Sequence, residues 1–175
     1  MKVGIFATAL PVLAVLVAAL AGCMTDSSSV QPSFYTSMAD SSATVDAAAA
    51  ASMISGYRGN NGLGVVEVDA ELMRMAQDQA RVMAAKDKLD RSAGREFASR
   101  LTGAGFDPKI AVENVGAGYH TLAEAFSGWR DSPSHRANML KGGVTRLGIA
   151  AVYAPQSKYK VFWALIMAAR AEGRG

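Results

Sequence analysis

Both histidines of the chain, His120 and His135, lie with three carboxylates, Glu113, Glu124 and Asp131, in one stretch. From Glu113 to Leu140 it reads ENVGAGYHTLAEAFSGWRDSPSHRANML. A carboxylate beside an imidazole is the minimal apparatus of general acid–base chemistry. Glu113 would take a proton from water, and His135 would serve as its acid or orient it. Covalent chemistry has no comparable support. The single cysteine, Cys23, is remote from this stretch, and no serine sits in a nucleophile-elbow setting. Gly116-Ala117-Gly118-Tyr119 is not read as a phosphate loop, because neither a preceding strand nor a GK[ST] triplet frames it.

The elements that must position these side chains are legible from their punctuation. Thr121 and Glu124 form a capping box, in which the threonine hydroxyl accepts from the Glu124 N–H and the carboxylate reaches back. Leu122, Phe126 and Trp129 then give one apolar helical face. Ser132-Pro133 ends that helix and opens the next, with Ser132 as N-cap and Pro133 at the first helical position. His135 falls in the first turn, where the helix dipole disfavours the imidazolium and keeps a neutral ring nitrogen available. Lys141-Gly142 is the expected stop.

Upstream, Thr44 to Tyr57 is alanine-rich and helical by propensity, with Val45, Ala49, Met53 and Tyr57 on one face. Gly59-Asn60-Asn61-Gly62 turns the chain. Asp69 caps a second helix to about Lys86, with Leu72, Ala76, Ala80 and Met83 as its buried stripe. Glu96 to Leu101 is a short third helix. Two strands close the chain: Leu147 to Tyr153, and Tyr159 to Met167 after a hairpin loop at Pro155–Lys158. The last strand is apolar on both faces, so it is expected to be central and covered on both sides. Helices first and strands last define an α+β layered domain without internal repeats.

Residues 1–22 read as an export signal: Lys2, then an apolar run from Ile5 to Leu20, then small residues. Leu20-Ala21-Gly22-Cys23 resembles a bacterial lipobox. Cleavage would leave Cys23 as the lipidated first residue, carrying acyl chains such as palmitate that hold the protein to a membrane. Met24 after the cysteine favours the outer membrane, if the cell has one. With no second cysteine there is no internal disulfide, so the domain stands on its core. Residues 23–43 are Ser-, Thr- and Ala-rich and read as a flexible tether, and residues 44–170 as one domain. The net charge of +3 contains no run of five like charges, and no basic tract for nucleic acid is present.

Glu113-Asn114-Val115, Trp129 and Ser132-Pro133-Ser134-His135-Arg136-Ala137-Asn138-Met139-Leu140 together resemble the bacterial branch of the CAP superfamily. This superfamily comprises the cysteine-rich secretory, antigen 5 and pathogenesis-related proteins, and its module is also called the SCP domain. Asn60, Gly62-Leu63, Leu72 and Ala76 fit the family's N-terminal pattern. The resemblance spans about Thr44 to Ala168 and implies an α-β-α sandwich. It also implies a cleft in which two histidines and two acidic residues can hold a divalent metal such as zinc. Glu113 and His135 match two of those positions, and Glu124 or Asp131 would supply the second acid. The remaining histidine is missing. Arg91, in Lys88-Leu89-Asp90-Arg91-Ser92-Ala93, stands at its place, and His120 is the only substitute.

An arginine offers no lone pair to a metal, but its guanidinium suits a carboxylate. Arg91 is therefore expected to pair with Glu113 and fill the metal's space, so that no cofactor is expected, the alternative being a divalent metal such as zinc held weakly for want of the second histidine. Glu113-Asn114 also has a purely architectural reading, with the asparagine tying loops through its amide. The resulting expectation is a non-catalytic binding or interaction module at the cell envelope. Its partner would be a small apolar ligand such as a lipid or sterol, a cell-wall component, or a protein. The alternative is an envelope hydrolase, most plausibly a peptidase, working through Glu113 and His135. Arg91→His should raise zinc affinity measurably in titration calorimetry; an unchanged affinity counts against the Arg91–Glu113 pairing.

Overall fold

The architecture follows from one strand that has no face for water. In the computed structural model, which describes Met1 and residues 31–90 and 94–171, Val161–Ala168 (β4) is buried at all eight positions. It is flanked by Arg146–Tyr153 (β3) and Val112–Ala117 (β2), both antiparallel to it. The two-residue strand Glu67–Val68 (β1) runs parallel to β3, giving the order β1-β3-β4-β2. Strand side chains alternate between faces. Val161, Trp163, Leu165 and Met167 accordingly join one core cluster, and Phe162, Ala164, Ile166 and Ala168 join another. Burying six large apolar side chains of this strand, at about 1.5–3 kcal/mol each, is worth on the order of 10 kcal/mol or more.

Two helical layers cover these faces. Ala47–Gly59 (α1), Leu122–Asp131 (α4) and Pro133–Met139 (α5) supply the first cluster with Ala50, Ile54, Leu122, Ala125, Trp129 and Met139. Ala70–Lys86 (α2) and Gly94–Gly103 (α3) supply the second, chiefly through Leu72, Met75, Ala76, Ala80, Met83 and Leu101. The result is the expected α-β-α sandwich, with the central, doubly covered strand where it was expected.

Local chemistry sets the helix ends. Asp46 caps α1 by accepting from the Ala49 N–H at 2.9 Å. The hydroxyl of Ser33, and then the Ala49 N–H, hold the Asp46 carboxyl below its ordinary range. Asp69 caps α2 by accepting from Glu71 and Leu72 at 2.9 and 3.2 Å, and pairs with Arg170. Asp87 ends α2 in the left-handed region at φ 47°. Gly143 rather than Gly142 makes the left-handed turn after α5, at φ 80°.

Several details depart from the sequence expectation. The most deeply buried positions of α1 are Ala50, Ile54 and Arg58, one residue on from the predicted stripe. Arg58 is 1% exposed. Its guanidinium donates to the carbonyls of Gly64, Met139 and Lys141 at 2.9 Å each and of Val144 at 3.3 Å. It thereby satisfies C-terminal carbonyls of α5 that the helix cannot, while burial lowers its pKa. In α4, Ala125 rather than Phe126 is buried with Leu122 and Trp129; Phe126 stacks edge-on against Tyr57. Strand β2 precedes Gly118, where no strand was read; its pairing is long-range and its sequence, VENVGA, carries no alternation.

The tether reading fails from Gln31 onward. Met38 is buried in the first core cluster, Phe34 packs against it, and the Met38 N–H donates to the His120 carbonyl at 2.6 Å. Spaced apolar residues in a polar stretch gave no period to read, yet Met38 and Phe34 find places on the core, while Tyr35 stays exposed. The signal segment 1–22, Cys23 and Arg91 lie outside the described residues apart from Met1.

Helix α2 lies close against the sheet at Gly148, where an added Cβ would land well inside contact distance of the Leu72 carbonyl and the Met73 nitrogen. Gly148→Ala should therefore cost about 1–3 kcal/mol or more in urea unfolding, because backbone cannot swing aside. Gly142→Ala, facing open space, should change stability by less than about 0.5 kcal/mol.

Candidate functional site

Glu113 and Asn114 sit early on β2, opposite Ile166 and Leu165 of β4. Their side chains point to opposite faces. Val115 and Ala117 pack with the α2–α3 cluster, so Glu113 faces that layer, whereas Asn114 faces α5. Glu113 is 9% exposed and Asn114 1%.

The motif residues meet through amides. Asn114 Nδ2 donates to the main-chain oxygen of His135 at 2.9 Å. Asn138 Nδ2 donates to the main-chain oxygen of Glu113 at 3.0 Å and to Asn114 Oδ1 at 2.8 Å. Three bonds thus lace the outer strand to the short helix α5, which makes no side-chain cap bond at Ser132 and cannot hold itself. Glu113 and His135 are brought to adjacent main-chain segments, and each engages in a further interaction. Pro133 stands at the start of α5, leaving His135 half-buried in its first turn.

His120 and Glu124 are not part of this meeting. The strand runs on from Glu113 to Ala117, about 13 Å at strand rise, before the chain turns at Gly118 with φ 89°. His120 then lies exposed. Its main chain is fixed from both sides, the N–H donating to Glu124 Oε2 at 2.6 Å and the carbonyl accepting from Met38. Thr121 Oγ1 accepts from the Glu124 N–H at 3.2 Å, so the capping box forms, with the carboxylate reaching one residue beyond the cap. The Glu124 carboxylate is engaged in helix capping. Asp131 is exposed and pairs with Arg130. Among the described residues, no three side chains of His, Cys, Asp or Glu stand close enough to share a metal ion.

Arg91 lies outside the described residues, but the chain leading to it is anchored. Gln79, 6% exposed on α2, donates through Nε2 to the Asp90 carbonyl at 2.6 Å. Tyr119 was missed as a structural residue. An added Cβ on Gly128 would strike its ring, and its carbonyl accepts from Trp163 Nε1 at 2.8 Å. Trp129 Nε1 reaches the Val115 carbonyl at 3.4 Å. Both tryptophans are core. The signal for Arg58 was present: it stands four residues after Ile54, a cation on a buried stripe.

An α-β-α sandwich whose outer strand is laced to an SPxHRxN helix defines a class of protein. The chain belongs to the CAP family, the cysteine-rich secretory protein family, whose model matches residues 51–167. An uncharacterized protein of Bacillus subtilis, YkwD, is 29% identical over 98 residues, 54% of this chain and 38% of that protein. The chain therefore spans well under half the length of that relative. An outer surface protein of Borrelia burgdorferi shares the fold with a TM-score of 0.60 at 16% identity, over 74% of this chain and 98% of that one. An extracellular SCP-domain protein of Bacillus anthracis gives 0.57 at 20% identity, over 70% of this chain and 40% of that one.

Removing either amide should cost about 1–3 kcal/mol, because a buried partner is left unsatisfied. Asn114→Ala and Asn138→Ala should couple by about 0.5–3 kcal/mol in a double-mutant cycle. Strict additivity in denaturant melts would show that the lacing is not a unit.

Proposed function

We propose that this chain is an exported, non-catalytic binding module, held at the cell envelope through an acylated Cys23. The observation that carries the reading is the amide lacing. Asn114 and Asn138, the motif's two amide side chains, are consumed in bracing β2 to α5. The donor set does not fit a zinc centre. Glu113 and His135 are two donors, His120 stands beyond the far end of β2, and Arg91 cannot ligate. No step is assigned through a metal.

Export is supported by the signal-like start, and by the outer-surface and extracellular proteins that share the fold. A small apolar ligand, such as a lipid or sterol, suits a shallow hollow of about 480 Å³ between Ser33–Tyr35 and α1. Pro32, Phe34, Ala49 and Met53 line it, and its size is within the ordinary range of ligand pockets. Cell-wall and protein partners are the other members of this class.

A peptide library, with and without added zinc, should show no turnover by wild type or Glu113→Gln; turnover that Glu113→Gln abolishes would overturn the non-catalytic reading in favour of an envelope peptidase. The probe N-phenyl-1-naphthylamine should brighten on binding and lose that gain in Met53→Asp. Cys23→Ser should shift the protein from the membrane pellet to the soluble fraction; unchanged pelleting would reject the acyl anchor.

A further inference from the structure

Helix α2 is tied to the sheet by a sulfur atom. Strand β1 pairs with β3 only at Arg146 and Leu147, because Asp69 caps α2 and leads the chain away. The bond from the Asp69 N–H to the Leu147 carbonyl is the last between the two segments. The Ile149 N–H comes next, beyond the end of β1, and Met73 Sδ on α2 accepts it at 3.2 Å. A thioether is a weak acceptor, yet among the long apolar side chains only methionine carries one. Ile149 is 0% exposed, so its N–H has no recourse to water. Beside it, the backbone of Leu72 and Met73 lies against Gly148. Helix and strand are thus held at one point by backbone contact and at the next by the N–H···S bond.

Met73 is also open to oxidants in a way most methionines of the fold are not. Met38, Met75, Met83, Met139 and Met167 are 4% exposed or less. Met53 and Met73 are half-buried. Met73 lines a groove of about 400 Å³ bounded by α2, residues 40–45 and β3. The chain's one cysteine, Cys23, precedes the folded domain, so from residue 31 to 171 no thiol competes for an oxidant.

We propose that Met73 is an oxidative modification site, and that its conversion to the sulfoxide by a peroxide releases α2 from β3 at Ile149. One peroxide oxygen bonds to Sδ as the O–O bond breaks; the sulfur is oxidised, the peroxide is reduced, and the second oxygen leaves as water or an alcohol. Neither place for the new oxygen keeps the tie. Aimed at Ile149 it has no room, because an N–H···O bond alone needs about 2.9 Å and the whole N···S contact is 3.2 Å. Aimed elsewhere it draws charge off the sulfur, which then faces the N–H as a poorer acceptor still. Drawing α2 back to make room would undo the backbone contact at Gly148. The buried N–H loses its acceptor unless the side chain swings into the groove. This inference is separable from the apolar-ligand reading, because Met53 and not Met73 lines that hollow.

The test treats the full chain with graded hydrogen peroxide, maps the added oxygen by peptide mass spectrometry, and follows thermal melting by circular dichroism. Met73 should take up oxygen well before the five buried methionines, and the melting midpoint should fall by about 3 °C or more as it does. Met73→Leu conserves volume and should fold. Lacking the acceptor, it should melt below wild type and then resist peroxide, whereas Met53→Leu should lose stability on treatment as wild type does. If Met73→Leu fails to fold, the wild-type correlation between oxygen at Met73 and the drop in melting decides. Oxidation of the buried methionines ahead of Met73, full oxidation of Met73 with unchanged melting, or a loss that persists in Met73→Leu each overturns the proposal.

Discussion

The double burial of β4 is the constraint from which the rest descends. A strand that is apolar on both faces must have a layer on each side, and its two neighbours must satisfy its main chain. Two helical layers and a four-stranded sheet are the consequence. The close approach of α2 at Gly148 follows as well, because a helix that covers a strand over this length leaves no room for a Cβ where the two backbones meet.

The residues most characteristic of the family are used to close this sandwich at its outer strand. β2 needs cover on its outer side, and α5 is too short to hold itself. Asn114 and Asn138 solve both problems with side-chain amides, each of which can donate and accept. A histidine and a glutamate placed beside such lacing are positioned by it. Positioning alone does not make them a catalytic pair. The buried guanidinium of Arg58 plays the matching part at the other end of α5, collecting carbonyls that the helix leaves open.

The two edges of the sheet contrast. The β2 edge is laced to a helix, whereas the β3 edge is abandoned when β1 ends after two residues. Natural sheets usually cover or charge such an edge. Here α2 and the chain before α1 recess it, and Ile149 and Ala150 at its floor are buried.

Much of this was legible in the chain itself. Caps at Asp69 and Thr121, the Ser132-Pro133 break and the two late strands act through local geometry, so their residues announce them. The EN and SPSHRANML motifs likewise marked the segments that meet. Only the tertiary structure decided what those segments do to one another. β2 is a strand because β4 offers it a ladder, Met38 is core because a pocket awaits it, and Arg58 is buried because three distant carbonyls and that of Gly64 converge on it. Glu113 and His120 are seven residues apart in sequence yet part of different neighbourhoods, because an extended strand separates what a helix would have stacked. Such facts depend on pairing between distant segments, and no local pattern encodes them.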